Sequence, residues 1–156
     1  MIEQFQKEYR FLSNFWPATV WLDTRFYPTQ SGEFLEFRSV EHAFQCAKSI
    51  SPEWLIFCKT VDMPGTVRRN GKQVKLREDW EDIKLDLMRS LVSYKFPAMI
   101  GNPLSRMLHE TGGEYLQEGN FWRDKFWGVC LKTGEGENNL GKILMTIRDR
   151  NSIAFQ

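Results

Sequence analysis

Residues 39–48, SVEHAFQCAK, constrain this chain more than any other stretch. Val40, Ala43, Phe44 and Ala47 stand at i, i+3, i+4 and i+7, which is one buried stripe on an α-helix. Ser39 sits just before the stripe and suits an N-cap, because its hydroxyl can accept from an amide of the first turn. Glu41, Gln45 and Lys48 stand at i, i+4 and i+7 and share a second face. A column of carboxylate, amide and amine has two readings. It lines a site, or it is a solvated face with a weak ion pair, and spacing alone favours the second.

The remaining pattern builds an α+β chain around this helix. Residues 9–38 read as short strands and turns. Val20, Trp21 and Leu22 favour β structure, as do residues 34–37, and Pro28 with Ser31 and Gly32 punctuates between them. Pro52 and Pro64 bracket a short helix over 53–60. Residues 79–96 make the longest helix, with Trp80, Ile83, Leu87, Leu91 and Tyr94 along one side, and Pro97 stops it. Another helix spans 103–110 and ends at Gly112 and Gly113. Residues 126–131, FWGVCL, read as a buried strand. A glycine-containing loop follows, then a last helix from about 138 with Leu140, Leu144 and Ile147 inward. At 156 residues, without repeat or linker, the chain is expected to form one compact domain over 1–156, predominantly helical with a small β-sheet.

Charge narrows the function classes. Lys plus Arg is 21 and Asp plus Glu is 20, so a whole-surface electrostatic nucleic-acid binder is not expected, although a local basic patch remains open. No apolar run reaches the roughly 18–20 residues of a membrane span, and no apolar stretch follows the charged N-terminus as in a secretory signal. Cys46, Cys58 and Cys130 are odd in number and widely spaced, which reads as reduced thiols in a cytoplasmic protein.

Several constellations could carry chemistry. Arg68, Arg69, Lys72, Lys75 and Arg77 put five cations and no acid into ten residues. This block is either a solvated loop before a helix N-terminus or a phosphate-binding loop, since guanidinium groups grip phosphate with paired hydrogen bonds. The glycines at 134, 136 and 141 miss the dinucleotide-binding spacing, and Glu135 and Glu137 would repel a pyrophosphate. His42 and Cys46 at i, i+4 could start a zinc site, but nothing in the spacing of His109, Cys58 or Cys130 demands one. No G-x-S-x-G elbow is present. Phe121, Trp122, Phe126 and Trp127 crowd around Asp124, which either caps a turn or sits in an apolar wall that tunes its pKa. An acid beside stacking aromatics suits cleavage of a sugar–base bond, where positive charge develops on the sugar.

Four blocks in order then resemble one family. Residues 11–15, FLSNF, match its opening element. Residues 39–48 match its S-x-E-H-x-(F/Y)-Q-x-x-K helix. Arg77, Trp80 and Glu81 match its R-x-x-W-E helix start. Asp124, Trp127 and Gly128, followed by Gly136, Asn138, Leu140, Gly141, Leu144, Met145 and Arg148, match its ending. The chain thus resembles the NADAR family, the YbiA-like N-glycosidases, over nearly its whole length. The segment between Phe15 and Ser39 is longer than in the shorter members, with residues 30–33 extending a turn.

The resemblance implies an α+β domain that binds ADP-ribose or a ribose-phosphate ligand and hydrolyses an N-glycosidic bond without metal or redox cofactor. It implies two substrate classes: ADP-ribose on the guanine amino group of DNA or RNA, and the ribosylamine phosphates of early riboflavin synthesis. The first would pair the protein with an ADP-ribosyltransferase toxin. A non-catalytic ADP-ribose reader or antitoxin module is the expectation from another class. The resemblance also turns the Glu41–Gln45–Lys48 column into a site wall. Glu41 is then the general acid/base or the stabiliser of an oxocarbenium-like sugar. Lys48 either assists the leaving group or attacks the anomeric carbon to form a Schiff base. Asp124 is the second acid. Trp80 and Trp127 are stacking surfaces, Arg77 is the phosphate ligand, and Asn14, Phe15, Gly128 and Asn138 hold or shape the ribose site.

Overall fold

The computed structural model describes all 156 residues, which pack as two compact units: residues 14–95, and residues 1–13 together with 96–156.

The first unit is organised around α1 (Val40–Cys46), all seven of whose residues are buried. Ser39 caps it, its hydroxyl accepting from the His42 amide at 3.1 Å. Strands β1 (Val20–Leu22) and β2 (Leu35–Phe37) pair antiparallel, Val20 opposite Phe37 and Leu22 opposite Leu35. Helix α2 (Pro52–Thr60) starts with Ser51 as cap and Pro52 in its first turn, where the missing amide proton is no loss. Helix α3 (Pro64–Gly71) starts the same way on Pro64, and α4 (Trp80–Lys95) buries Trp80, Leu87, Met88, Leu91 and Val92. Helices α2, α3 and α4 and both strands all pack on α1.

Helix α3 corrects the reading of the basic block as a loop. Its only buried side chain is Val67, so no apolar stripe announces it. Proline at the start, Arg68 and Arg69 in the last turn and packing on α1 hold it in place of a stripe.

In the second unit, a 3-10 segment (Lys7–Leu12) leads in, and Ile2 bridges to Leu116. Helix α5 (Pro103–Glu110) is capped by Asn102, which accepts from the Ser105 amide at 2.9 Å. Strands β3 (Gly119–Asn120) and β4 (Val129–Cys130) pair in parallel. Helix α6 (Asn139–Asn151) inserts Leu140, Ile143, Leu144 and Ile147 into the core. Its buried Arg148 donates to the Thr111 hydroxyl and the Glu114 carbonyl at 2.9 and 2.8 Å. The strand expected over 126–131 shrinks to Val129–Cys130, because Asp124 draws the amides of Phe126 and Trp127 into a turn instead of a ladder. No helix is long and apolar enough to cross a membrane.

Candidate active site

The column on α1 is not a solvated face. Glu41 is 6% exposed and Gln45 4%, because α2, α3, α4 and both strands pack against this short helix. The Gln45 amide donates to Glu41 Oε1 at 2.9 Å, and the Glu41 backbone amide donates to the Asn14 carbonyl at 3.1 Å. Gln45 is itself anchored from behind, its carbonyl accepting from the Trp54 indole at 2.8 Å. A buried carboxylate costs free energy unless hydrogen-bonded, and the Gln45 amide supplies a bond from the next turn of the same helix. The other Gln45 oxygen, Oε1, is buried without a hydrogen-bond partner. It faces Gly71 of α3, where an added Cβ would lie 2.1 Å from it. Glycine at 71 is what lets α3 come this close to the column. Sequence reasoning passed over Gly71, although a glycine inside a basic helical segment is the signal for such a close approach.

Lys48 follows the C-cap of α1, its amide donating to the Gln45 carbonyl at 3.2 Å. Its ammonium lies 6.0 Å from the Trp80 ring centroid. Burial lowers the Lys48 pKa from its ordinary value; the Glu41 carboxylate opposes this, and Arg68 and Lys72 add to it. Trp80, expected as a stacking surface, is only 6% exposed and packs at 5.0 Å on Phe44. It is the apolar wall beneath Lys48 rather than an open platform.

Arg77 also differs from its expected role as phosphate ligand. Its side chain is 8% exposed, and its guanidinium grips Asp79 through two nitrogens at 2.6 and 3.1 Å. The third nitrogen donates to the Phe26 and Ala47 carbonyls, and the backbone amide donates to the Lys48 carbonyl at 2.8 Å. Arg77 is therefore a strut that fixes the chain at Lys48. Asn14 places its amide 3.5 Å from Met88 Sδ. Phe15 is partly exposed, and the Arg68 guanidinium lies over its ring at 5.8 Å.

Asp124, Trp127, Gly128 and Asn138 belong to the second unit. Asp124 Oδ1 accepts from the amides of Phe126 and Trp127 at 3.1 and 2.9 Å, so this carboxylate caps a turn. Buried Asn120, which sequence reasoning missed, braces it. Asn120 accepts from the Asp124 amide at 3.0 Å and donates to the Asp124 carbonyl at 2.8 Å. Trp127 is half-buried with Phe126 edge-on at 4.8 Å. Gly128 is required by packing, since a Cβ there would lie 2.0 Å from the Glu118 carbonyl oxygen. Asn138 is 2% exposed in the left-handed region (φ 53°). It donates to Tyr115 and the Leu116 carbonyl and accepts from the Glu118 amide, which ties residues 115–118 to the start of α6.

The zinc reading finds no set of donors. No three His, Cys, Asp or Glu side chains gather in one place. His42 is buried with Nδ1 at 2.7 Å from the Ser39 hydroxyl and Nε2 at 2.9 Å from the Val61 carbonyl, which makes it a core connector. Cys46 and Cys58 are buried side by side, and their hydrogen bond together with burial pushes the Cys46 thiol up, which keeps it protonated.

Comparison with known proteins agrees with this architecture. Residues 2–151 match the NADAR domain. The chain is 30% identical to the N-glycosidase YbiA of Escherichia coli over 150 residues, which is 94% of this chain and 84% of that protein. It is 30% identical to the chloroplastic riboflavin biosynthesis protein PYRR of Zea mays and 31% identical to a riboflavin biosynthesis protein of Vibrio vulnificus. Those matches take in 87% and 89% of this chain, but it spans only 22% and 35% of the two larger proteins. The NMR structure of E. coli YbiA superposes with a TM-score of 0.74 at 26% identity, covering 98% of this chain and 88% of the other.

Proposed function

Because this chain belongs to the NADAR domain family, we propose that it is an N-glycosidase that cleaves the ribose C–N bond of ADP-ribosylated guanine in nucleic acid. The observation that carries the reading is the buried Glu41 carboxylate on the same column as Lys48, whose pKa is lowered by burial. Breaking a C–N bond at an anomeric carbon leaves positive charge on the sugar, and a carboxylate in a dry wall stabilises that charge strongly. In its protonated form the same group delivers a proton to the leaving nitrogen.

Lys48 supplies the nucleophile. The lowered pKa enlarges the fraction of neutral amine. The amine nitrogen attacks the anomeric carbon while the bond to guanine breaks, and the guanine nitrogen leaves with a proton. Opening of the ribose ring gives an imine on Lys48, and water hydrolyses it to free ADP-ribose and the amine. Arg77 holds the backbone at Lys48 during this cycle. Trp80 shields the amine from water on one side. Asp124 is a positioning group that fixes the turn bearing Trp127.

The relatives named for riboflavin biosynthesis favour a second reading, hydrolysis of ribosylamine phosphates, with the same bond broken beside a phosphate. A pure ADP-ribose reader would have no need of a carboxylate buried beside an amine. If the substrate is modified nucleic acid, an ADP-ribosyltransferase toxin is the partner that generates it.

The test is incubation with a guanine-ADP-ribosylated oligonucleotide followed by mass spectrometry, with Glu41→Gln alongside. Loss of one ADP-ribose mass with wild type alone is the expected result, and borohydride should trap the sugar on wild type but not on Lys48→Ala. Binding without loss would make the protein a reader. Turnover of ribosylamine phosphates only would move the substrate to the second reading.

A further inference from the structure

Arg77 is committed to Asp79 and to two carbonyls, yet both substrate classes carry phosphate. Resting on the N-glycosidase reading, we propose that Arg68 and Lys72 form the phosphate-binding edge of the site, holding the substrate's phosphate or pyrophosphate beside the Glu41–Lys48 column.

The placement follows from contacts in the last turn of α3. Arg68 lies over Phe15 at 5.8 Å, and Phe15 follows Asn14, whose carbonyl accepts the Glu41 amide. Three residues after Arg68, Gly71 abuts the Gln45 side chain that is bonded to Glu41. Lys72 continues with helical dihedrals, so Arg68 and Lys72 stand at i, i+4 on one side of the helix. The influence of both cations on the Lys48 pKa agrees with this proximity. The cation–π contact with Phe15 holds the Arg68 guanidinium at this edge, and a guanidinium is the side chain best suited to grip phosphate with paired hydrogen bonds.

Charge separates this edge from an arginine-bearing cavity of the same unit. An open cavity of about 680 Å³ is lined by Arg25, Phe26, Asp86, Arg89 and Tyr94 among others. There Arg25 pairs with Asp23 at 3.1 Å and Arg89 with Asp86 at 2.7 Å, so cation and acid balance. Residues 64–75 hold four cations, Arg68, Arg69, Lys72 and Lys75, and no acid, while Arg77 beyond them is bound to Asp79. The segment from Pro64 to Lys75 is therefore net positive along the chain, which suits a dianionic group.

The experiment is calorimetric titration of the whole chain with ADP-ribose and, separately, with ribose 5-phosphate, at low and high salt. Wild type is expected to bind at least one of them, more weakly as salt rises. Arg68→Gln and Lys72→Gln should each weaken binding about tenfold or more, as expected for loss of a hydrogen bond to a charged group. Lys75→Gln, an exposed cation of the same block, should bind as wild type does. Arg68→Lys should recover part of the loss, which separates charge from a folding defect. Preference for ADP-ribose would identify the anion as a pyrophosphate, and preference for ribose 5-phosphate as a monoester. The inference is overturned if wild type binds neither compound, if Arg68→Gln and Lys72→Gln bind normally, or if Lys75→Gln weakens binding equally. Turnover is read separately. Binding that depends on Arg68 and Lys72 without cleavage would reject the glycosidase and keep this edge, and cleavage with unaltered binding would do the reverse.

Discussion

In the proposed mechanism Glu41 and Lys48 act through their surroundings. Glu41 has its backbone amide on Asn14 and its carboxylate on Gln45, so Glu41→Gln changes the charge while keeping the shape. Turnover should fall by about 10²–10⁴-fold, the usual range for an acid–base group, with ligand binding retained. Full turnover in a kinetic assay of that variant would remove Glu41 from the chemistry. For Lys48 the sign of the pH effect follows from its neighbours. In the proposed mechanism the neutral amine is the nucleophile, so kcat should fall as pH drops through the Lys48 pKa, which lies below its ordinary value. Lys72→Gln removes a repelling cation, raises that pKa and should move the acid limb of the kcat profile to higher pH. A limb that stays in place at saturating substrate would mean that Lys72 is not felt at Lys48.

At the scale of elements, the close approach of α3 to α1 depends on one missing methyl group. Gly71→Ala would place a carbon 2.1 Å from Gln45 Oε1 and 3.1 Å from its Cδ. Overpacking of this kind costs roughly 1–3 kcal/mol. The better helix propensity of alanine returns at most about 1 kcal/mol. The variant should therefore melt at a lower temperature and lose activity as Gln45 is pushed off Glu41. Adding Gln45→Ala should relieve the clash without restoring activity, since it also removes the hydrogen bond to Glu41. Equal melting temperatures for wild type and Gly71→Ala would mean that α3 shifts away at no cost. The elements differed in legibility for identifiable reasons. Helices α1, α2, α4, α5 and α6 carried caps, prolines or apolar stripes, and their expected ranges lie close to the observed ones. Helix α3 was hidden because its stability comes from packing on α1 rather than from a stripe of its own. Strand β4 is shorter than its apolar run, because a single carboxylate, Asp124, captured the amides ahead of it.

For the whole molecule, Lys95 ties folding to pH. It is 2% exposed at the end of α4, and burial pushes its pKa down to about 7. The unfolded chain holds that proton up to about pH 10.4. Between these values the unfolded state binds one more proton than the folded state, so the Lys95 contribution makes stability rise with pH. Lys95→Met should flatten that rise in urea titrations at pH 7, 8 and 9, and an unchanged slope would show that Lys95 pays no desolvation cost on folding. The sequence by itself determined the family, the α+β class, the helix caps and the alignment of Glu41, Gln45 and Lys48 on one face. These depend on order and spacing along the chain, which a helix converts directly into geometry. Only the tertiary structure decided that this face is buried, that Arg77 and Trp80 are a strut and a wall, and that α3 lies against the column. Burial and charge pairing depend on which distant segments meet a residue, and for Gln45 that meeting turns on the glycine at 71.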